Sequence, residues 1–231
     1  MLIAGLTSIR MGLTNVLYIS YLVPSIRIRP LVPSFLSLAT NQADQVYLSF
    51  VAMKCNRVRL AALPWPRFDY DQLNLRTYVI DPNTGEPAVY FFRSGVSLGV
   101  IPLLTRILGI PWEKIAFKMD FTSRPRYRAS GHWLGDINCE IDAPAGVLPA
   151  ESVIEHLTGP MRGFIGSEGK VRSFRIDHRT LEIKPALLRS IEFPLPVKEG
   201  LIMESELRYP DTVLIVPRAE FTIYLPPQRF I

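Results

Sequence analysis

The 231-residue chain has only two cysteines, Cys55 and Cys139, which are far apart and form no Cys-x-x-Cys motif. This argues against a disulfide framework and indicates reduced thiols in a cytoplasmic protein. Its three histidines, His132, His156 and His178, have no further His or Cys at metal-ligand spacing. The sequence therefore predicts no metal site, and no motif in it calls for an organic cofactor.

Long apolar runs are also missing. Arg10, Arg27 and Arg29 interrupt the apolar N-terminal part, so no segment reaches the roughly 20 apolar residues of a membrane helix. The first residues lack the early positive charge of a signal peptide. We therefore expect no membrane partner.

Charged residues make up only 20% of the chain, and the net charge of +5 comes mostly from scattered arginines. The densest group is Arg124, Arg126 and Arg128, at alternate positions of a predicted strand. Such a row is typical of a solvated face, and no nucleic-acid-binding module surrounds it. The sequence therefore predicts no nucleic-acid partner.

What the chain does contain is a high share of apolar residues, 48%, arranged mostly with the period of two that is typical of strands. Strands and helices do not alternate, which argues against a doubly wound parallel sheet. We expect one mainly β domain over residues 1–231. The predicted strands are 15–23, 45–53, 73–80, 88–93, 115–119, 127–133, 136–142, 162–165, 171–177, 180–184 and 220–225. Irregular chain is predicted at 57–71, a buried helix at 97–108 that ends at Gly109, and a short helix at 151–157.

The hairpin strand at residues 73–79 carries the most informative pattern. Asn74, Arg76 and Tyr78 share one face of it, opposite Leu73 and Leu75. One interpretation is an outer strand facing water. In the other, the polar face lines a cavity in which Arg76 binds a carboxylate or polarised carbonyl, oriented by Asn74 and Tyr78.

A nucleophile-elbow pattern occurs at Gly95-Val96-Ser97-Leu98-Gly99, between a predicted strand and a predicted helix. Asp136 or Asp142 with His156 or His178 would complete a triad in chain order. The mostly parallel sheet and the upstream glycine-rich loop of such hydrolases are not visible. A serine hydrolase at Ser97 stays an alternative, and the other interpretation is that the two glycines frame a turn.

Two further residues are candidates for proton transfer or for cavity walls. His178 ends a predicted strand, where it is either structural or a proton donor and acceptor. Tyr90 and Phe92 share one face of the returning hairpin strand and are candidates either for the core or for the walls of a cavity.

Several segments together resemble a known family. Residues 73–79, 89–92 and 108–112, and more weakly 21–24, 176–178 and 225–227, are similar to the YqjF-like uncharacterised proteins of the acetoacetate-decarboxylase-like superfamily. The resemblance implies a mainly β (α+β) fold, with an antiparallel sheet curled into a cone or barrel and a few packed helices. It also implies an apolar cavity inside the cone.

The resemblance also implies a Schiff-base lysine, and here the sequence departs from the superfamily. The decarboxylases carry paired lysines after a Gly-aromatic-Pro turn, whereas this chain has Trp112 and Glu113, with Lys114 next. Glu113 would stabilise the charged ammonium of Lys114, the opposite of what a nucleophilic amine requires. We expect Lys114 to be exposed and to form no imine.

The sequence thus predicts a protein that holds a small carbonyl- or carboxylate-bearing ligand, with Asn74, Arg76 and Tyr78 as anchors. Tyr90, Phe92 and Trp112 would form the walls. The alternative is a lyase or hydratase-like enzyme that uses Lys114, or Arg76 with His178. Whether the protein catalyses a reaction and whether it is a homo-oligomer both stay open.

Overall fold

A computed structural model describes residues 8–63, 65–121, 126–225 and 227–230. Arg124 of the predicted arginine row and Pro226 of the last family-like segment lie outside them. The strands are β1 (Ser8–Pro24), β2 (Ser37–Leu38), β3 (Gln45–Leu60), β4 (Phe68–Ile80), β5 (Pro87–Val96), β6 (Glu113–Lys114), β7 (Ala116–Asp120), β8 (Arg126–His132), β9 (Asp136–Asp142), β10 (Arg162–Ile165), β11 (Val171–His178), β12 (Lys184–Pro185), β13 (Leu187–Glu192), β14 (Thr212–Tyr224) and β15 (Gln228–Phe230). The helices are α1 (Ser25–Ile28), α2 (Val100–Ile107), α3 (Glu151–Thr158) and α4 (Pro194–Lys198), with a 3₁₀ turn at Arg29–Leu31.

Seven strands close into a barrel in the order β14, β1, β3, β4, β5, β10 and β11, because β11 also pairs with β14. All these pairs are antiparallel except β5 with β10. Asn15 and Arg57 have positive φ angles of 53° and 52° and lie at irregularities in the β1 and β3 registers. Such bulges bend long strands, which helps the sheet to close. The predicted curled, mainly β fold is confirmed.

The barrel has two distinct apolar faces. Its outer face packs against a four-stranded antiparallel sheet of β13, β9, β8 and β7, through residues such as Leu75 of β4 and Phe117 of β7. Its inner face forms a second core that includes Tyr70 and Tyr78 of β4 and Phe174 of β11. Because side chains alternate along a strand, even-numbered residues of β4 point into the barrel.

Two helices cover opposite ends of this interior. Ile101 of α2 packs with Tyr70, near the start of β4, and Leu157 of α3 packs with Tyr78, near the end of β4. The interior between them is lined mostly by buried side chains of the seven strands. The two ends therefore offer different environments, an apolar one beneath α2 and a polar one beneath α3.

The predicted hairpin is confirmed as β4 and β5, with Gly85 at φ 74° and the amide of Asn83 bound to the Asp81 side chain in the turn.

The prediction of a buried helix at residues 97–108 was wrong in one respect. The helix forms within that range and ends before Gly109, whose φ is 71°. It is not buried all round, because it covers the barrel with one face only and leaves Leu103 and Ile107 64% and 81% exposed.

Three other boundaries differ from expectation. β3 and β4 extend through most of residues 57–71, which were predicted as irregular, and of residues 180–184 only Lys184 is in a strand.

Arg126 and Arg128 are exposed on β8, as the solvated-face interpretation predicts, and they pair with Asp142 and Glu140. None of the described helices is long and apolar enough to cross a membrane.

Candidate functional site

Asn74, Arg76 and Tyr78 all lie on the inner face of β4, so the polar face faces the barrel interior and not bulk water. Asn74 and Tyr78 are 4% and 0% exposed. The cross-strand neighbour of Asn74 is Val51 of β3, and that of Arg76 is Phe91 of β5. On the other side of β4, Arg76 is opposite Ser49 of β3 and Asn74 is opposite Ser94 of β5, so the surroundings are partly apolar and partly polar.

The guanidinium of Arg76 is only partly satisfied. Its Nη2 donates to the carbonyl oxygen of Leu157 at 2.8 Å and to the Tyr78 hydroxyl at 3.2 Å, and its Cζ lies 5.3 Å from the centre of the Tyr18 ring. Its Nε is buried and has no hydrogen-bond partner. Nor does any carboxylate pair with it within residues 8–63, 65–121, 126–225 and 227–230. Arg76 as a whole is half-buried, whereas its chain neighbours Leu75 and Thr77 are buried.

The electrostatics keep this side chain charged. Burial works to lower the pKa of Arg76, but the phenol oxygens of Tyr78 and Tyr18 offset it, and the net direction is upward. Burial raises the pKa of Tyr18, and Arg76 moderates that rise. The interior therefore holds a cation beside the side chains of Tyr18 and Tyr78, with no counter-ion from the described chain.

Two more polar groups beside Arg76 have unused hydrogen-bonding capacity. Ser94 of β5 is directly opposite Asn74, is 1% exposed, and its Oγ has no partner. The Oδ1 of Asn74 accepts from Gln72 at 2.9 Å, and its Nδ2 donates to no group that the structure describes. Arg76, Asn74 and Ser94 thus bring three unused donors to one part of the interior.

A chain of hydroxyl groups closes the end of the barrel beneath α3. Ser20 and Ser49 share a hydrogen bond of 2.7 Å, Ser49 and Tyr78 one of 3.0 Å, and Tyr78 donates to the Leu157 carbonyl at 3.1 Å. Leu157 is in the last turn of α3, where carbonyl oxygens lack helical partners and carry partial negative charge. This explains why two donors of β4 meet there.

His156 also belongs to this polar end, a position that the sequence analysis did not predict. Its ring centre is 4.9 Å from that of Tyr78 and 5.5 Å from that of Tyr47. Its Nε2 is buried without a partner, and burial lowers its pKa. Neither His156 nor Ser94 could be placed from sequence, because their positions depend on how α3 docks and on the β4–β5 register.

The two predicted aromatic walls of β5 do not join this site. Tyr90 and Phe92 point to the outer core, with ring centres 5.4 Å apart, and the Tyr90 hydroxyl donates to the Gly166 carbonyl at 2.6 Å. Phe91, between them, is the residue that faces inward. The alternation was predicted correctly, but the sequence did not indicate which face is the interior.

Trp112 lies at the other end of the barrel, where it lines an apolar cavity of about 440 Å³ beneath α2. Tyr70 also lines this cavity. Arg76 is six residues from Tyr70 along the same strand, which corresponds to about 20 Å. The predicted wall Trp112 and the predicted anchor Arg76 are therefore not brought together.

Lys114 is exposed, as predicted. Its Nζ donates to the carbonyl oxygens of Ser97 and, at 3.1 Å, of Ile115. The Glu113 carboxylate is turned towards Arg93 and the Trp133 indole, at 2.7 Å and 3.1 Å. Lys114 is thus held on the outside of the barrel.

The remaining predicted residues show no catalytic arrangement. The Ser97 hydroxyl accepts from the Asp71 amide at 2.8 Å, and no histidine contacts it in the described part of the chain. His178 stacks on Phe221 with ring centres 4.7 Å apart, and its Nδ1 is 2.9 Å from the Arg179 carbonyl. It has no contact with Arg76. Among the described residues, no group of three or more His, Cys, Asp or Glu could hold a metal ion.

Solved structures with this architecture include acetoacetate decarboxylases and related enzymes. The decarboxylase from Legionella pneumophila superposes with a TM-score of 0.64 at 12% identity, covering 97% of this chain and 87% of that one. An acetoacetate decarboxylase-like enzyme from Sphingomonas wittichii has a TM-score of 0.64 at 10% identity, with coverages of 97% and 93%. The enduracididine biosynthesis enzyme MppR in complex with pyruvate has a TM-score of 0.63 at 11% identity, with coverages of 96% and 90%. At these identities the likeness shows the fold alone.

Sequence comparison identifies the family. No curated protein matches this chain significantly. The model of a family described as uncharacterised conserved proteins, DUF2071, matches residues 10–220. The chain therefore belongs to the DUF2071 family, and its fold is that of the acetoacetate-decarboxylase-like proteins.

Proposed function

We propose that the protein binds a small ligand with a carboxylate or carbonyl group inside the barrel, at Arg76, Asn74 and Ser94. The observation that carries the proposal is the Arg76 guanidinium, whose Nε is buried without a partner and which pairs with no carboxylate of the described chain. A buried unpaired charge destabilises a fold unless something compensates it. A ligand carboxylate would provide that compensation.

The available donors suit such a ligand. In our proposal one carboxylate oxygen accepts from Arg76 Nε and the other from Asn74 Nδ2, as charge-assisted hydrogen bonds. The Ser94 hydroxyl would donate to a second polar group, such as a keto oxygen. Val51 and Phe91 are the cross-strand neighbours of Asn74 and Arg76, so the rest of the ligand would contact apolar side chains.

The related structures support the ligand class but not a reaction. One is an acetoacetate decarboxylase and another is complexed with pyruvate, so this fold accommodates small keto acids in those proteins. The exposed position of Lys114 supports binding without a Schiff base at that residue. We propose that 2- and 3-keto acids or similar small carboxylates are the ligands.

Isothermal titration calorimetry with pyruvate, acetoacetate and the neutral ketone acetone tests this function. We expect both keto acids to bind at least about tenfold more tightly than acetone, since a hydrogen bond to a charged group contributes about 1.5–3 kcal/mol. Arg76→Leu should abolish keto-acid binding. Arg128→Leu, which removes the same charge from the exposed face of β8, should bind like the wild type. If the wild type, Arg76→Leu and Arg128→Leu all bound the keto acids with equal affinity, the proposal would be contradicted.

A further inference from the structure

We propose that the cavity beneath α2 is a second binding site, which takes an unbranched acyl chain whose carboxylate pairs with Arg172. This site is at the opposite end of the barrel from Arg76. It would hold a larger and more apolar molecule than the keto acids proposed above.

The size and walls of the cavity favour an acyl chain. Its volume is about 440 Å³, within the range of small-molecule pockets. Most of its walls are apolar side chains from the strands, from α2 and from the turn that follows α2. They include Met11, Ile101, Leu108, Ile110 and Phe174.

Two polar side chains that line this cavity, Arg59 and Thr105, already donate hydrogen bonds to backbone carbonyls. Arg59 Nη1 donates to the carbonyl oxygens of Leu60, at 3.4 Å, and Ala61, at 3.2 Å. The Thr105 hydroxyl donates to the Pro102 carbonyl at 3.3 Å. Because these two side chains are engaged and most of the other lining side chains are apolar, an apolar ligand body fits the walls.

A free cation lies at the edge of the same cavity. The Arg172 guanidinium packs against Gly109, where a Cβ would meet its Nε and Nη2 at 3.0 Å. Gly109 is between the lining residues Leu108 and Ile110, and Phe174 lines the cavity two residues further along the inner face of β11. Within the described ranges Arg172 has no hydrogen-bond or salt-bridge partner. An apolar cavity beside an unpaired guanidinium is complementary to a fatty carboxylate.

Helix α2 provides an entrance. Leu104 and Ile107 line the cavity and are also 43% and 81% exposed, so the cavity opens to solvent between side chains of this helix. Leu103 is 64% exposed on the same helix but does not line the cavity. The pair Leu104 and Leu103 therefore allows a matched test.

The test uses calorimetry with sodium decanoate and 1-decanol on the full chain. We expect decanoate to bind the wild type and Leu103→Trp alike, and Leu104→Trp, which fills the cavity, at least about tenfold more weakly. Arg172→Gln should weaken decanoate about tenfold and leave 1-decanol unchanged. Arg175→Gln, on the exposed face of the same strand, should change neither. Thermal midpoints confirm that each variant is folded.

Three results would overturn this inference. The first is decanoate binding that does not respond to Leu104→Trp in a folded variant. The second is a loss of decanoate binding in Arg76→Leu but not in Arg172→Gln, which would place the carboxylate at the other end of the barrel. The third is no decanoate binding together with an oligomer that Leu103→Trp dissociates, which would show that a second copy of the chain covers α2.

Discussion

Arg76 and Tyr78 lie two residues apart on β4, and both donate a hydrogen bond to the carbonyl oxygen of Leu157, at 2.8 Å and 3.1 Å. The two donors tie the inner face of β4 to the last turn of α3. Arg76 uses Nη2 for this contact, and its Nε stays free. A ligand could therefore accept a hydrogen bond from Nε while Nη2 keeps its contact with α3.

The stability of Arg76→Leu separates a binding role from a structural one. The substitution removes a hydrogen bond to Leu157 but also removes an unpaired buried charge, and Tyr78 still satisfies that carbonyl. We expect the free energy of unfolding in urea to change by less than about 1 kcal/mol in either direction. A loss of more than about 3 kcal/mol would identify Arg76 as a structural residue.

Tyr78→Phe and Tyr90→Phe form a matched pair on the two faces of the hairpin. Each removes a buried hydroxyl that donates to a backbone carbonyl, so each should cost about 1–2 kcal/mol of stability. Only Tyr78→Phe should also weaken pyruvate binding in calorimetry, because only Tyr78 contacts Arg76. If Tyr90→Phe weakened binding equally, the ligand would not be inside the barrel.

The buried His156 predicts a pH dependence of stability. In the folded chain the pKa of His156 lies below the ordinary value of 6.5. At a pH between the folded and the unfolded pKa, the unfolded chain therefore binds more protons than the folded one. Stability then rises with pH across that window and falls as the pH drops below about 6.5. His156→Phe should flatten the profile of urea unfolding free energy between about pH 7 and pH 5.

A control for that profile is His132→Gln. This substitution removes a histidine from an exposed site, and we expect the slope in this range to stay close to that of the wild type. A slope that His156→Phe does not change would show that protonation of His156 does not limit stability.

Lys114 should form no imine. Its amine donates to two carbonyl oxygens outside the barrel, so these contacts hold it away from the interior where we propose that the ligand binds. Incubation with acetoacetate and cyanoborohydride near neutral pH, followed by peptide mass spectrometry, should leave Lys114 unlabelled. Stoichiometric labelling of Lys114 would instead identify a lyase with a displaced nucleophile.

Local signals explain which parts of the fold could be predicted. The β4–β5 hairpin was predictable because Asp81, Asn83 and Gly85 provide turn chemistry between alternating strands. β13 was missed because most of its residues are exposed and its sequence, LLRSIE, has no clear alternation. The closure of the barrel depends on the long-range pairing of Ile176 with Ile223, which no local pattern reveals.

The candidate site was predictable only in part, for the same reason. The sequence indicated that Asn74, Arg76 and Tyr78 share a face. A β5 register shift at Phe92 then determines that Ser94 and Phe91, and not Tyr90, face Asn74 and Arg76. Tertiary pairing therefore decides which aromatic and hydroxyl side chains surround the arginine.

The most direct test of the central claim is a crystal structure of the protein grown with pyruvate. We expect the pyruvate carboxylate inside the barrel, with its oxygens about 3 Å from Arg76 Nε and Asn74 Nδ2. Pyruvate bound only outside the barrel or beneath α2, with Arg76 Nε still unpaired, would contradict the account.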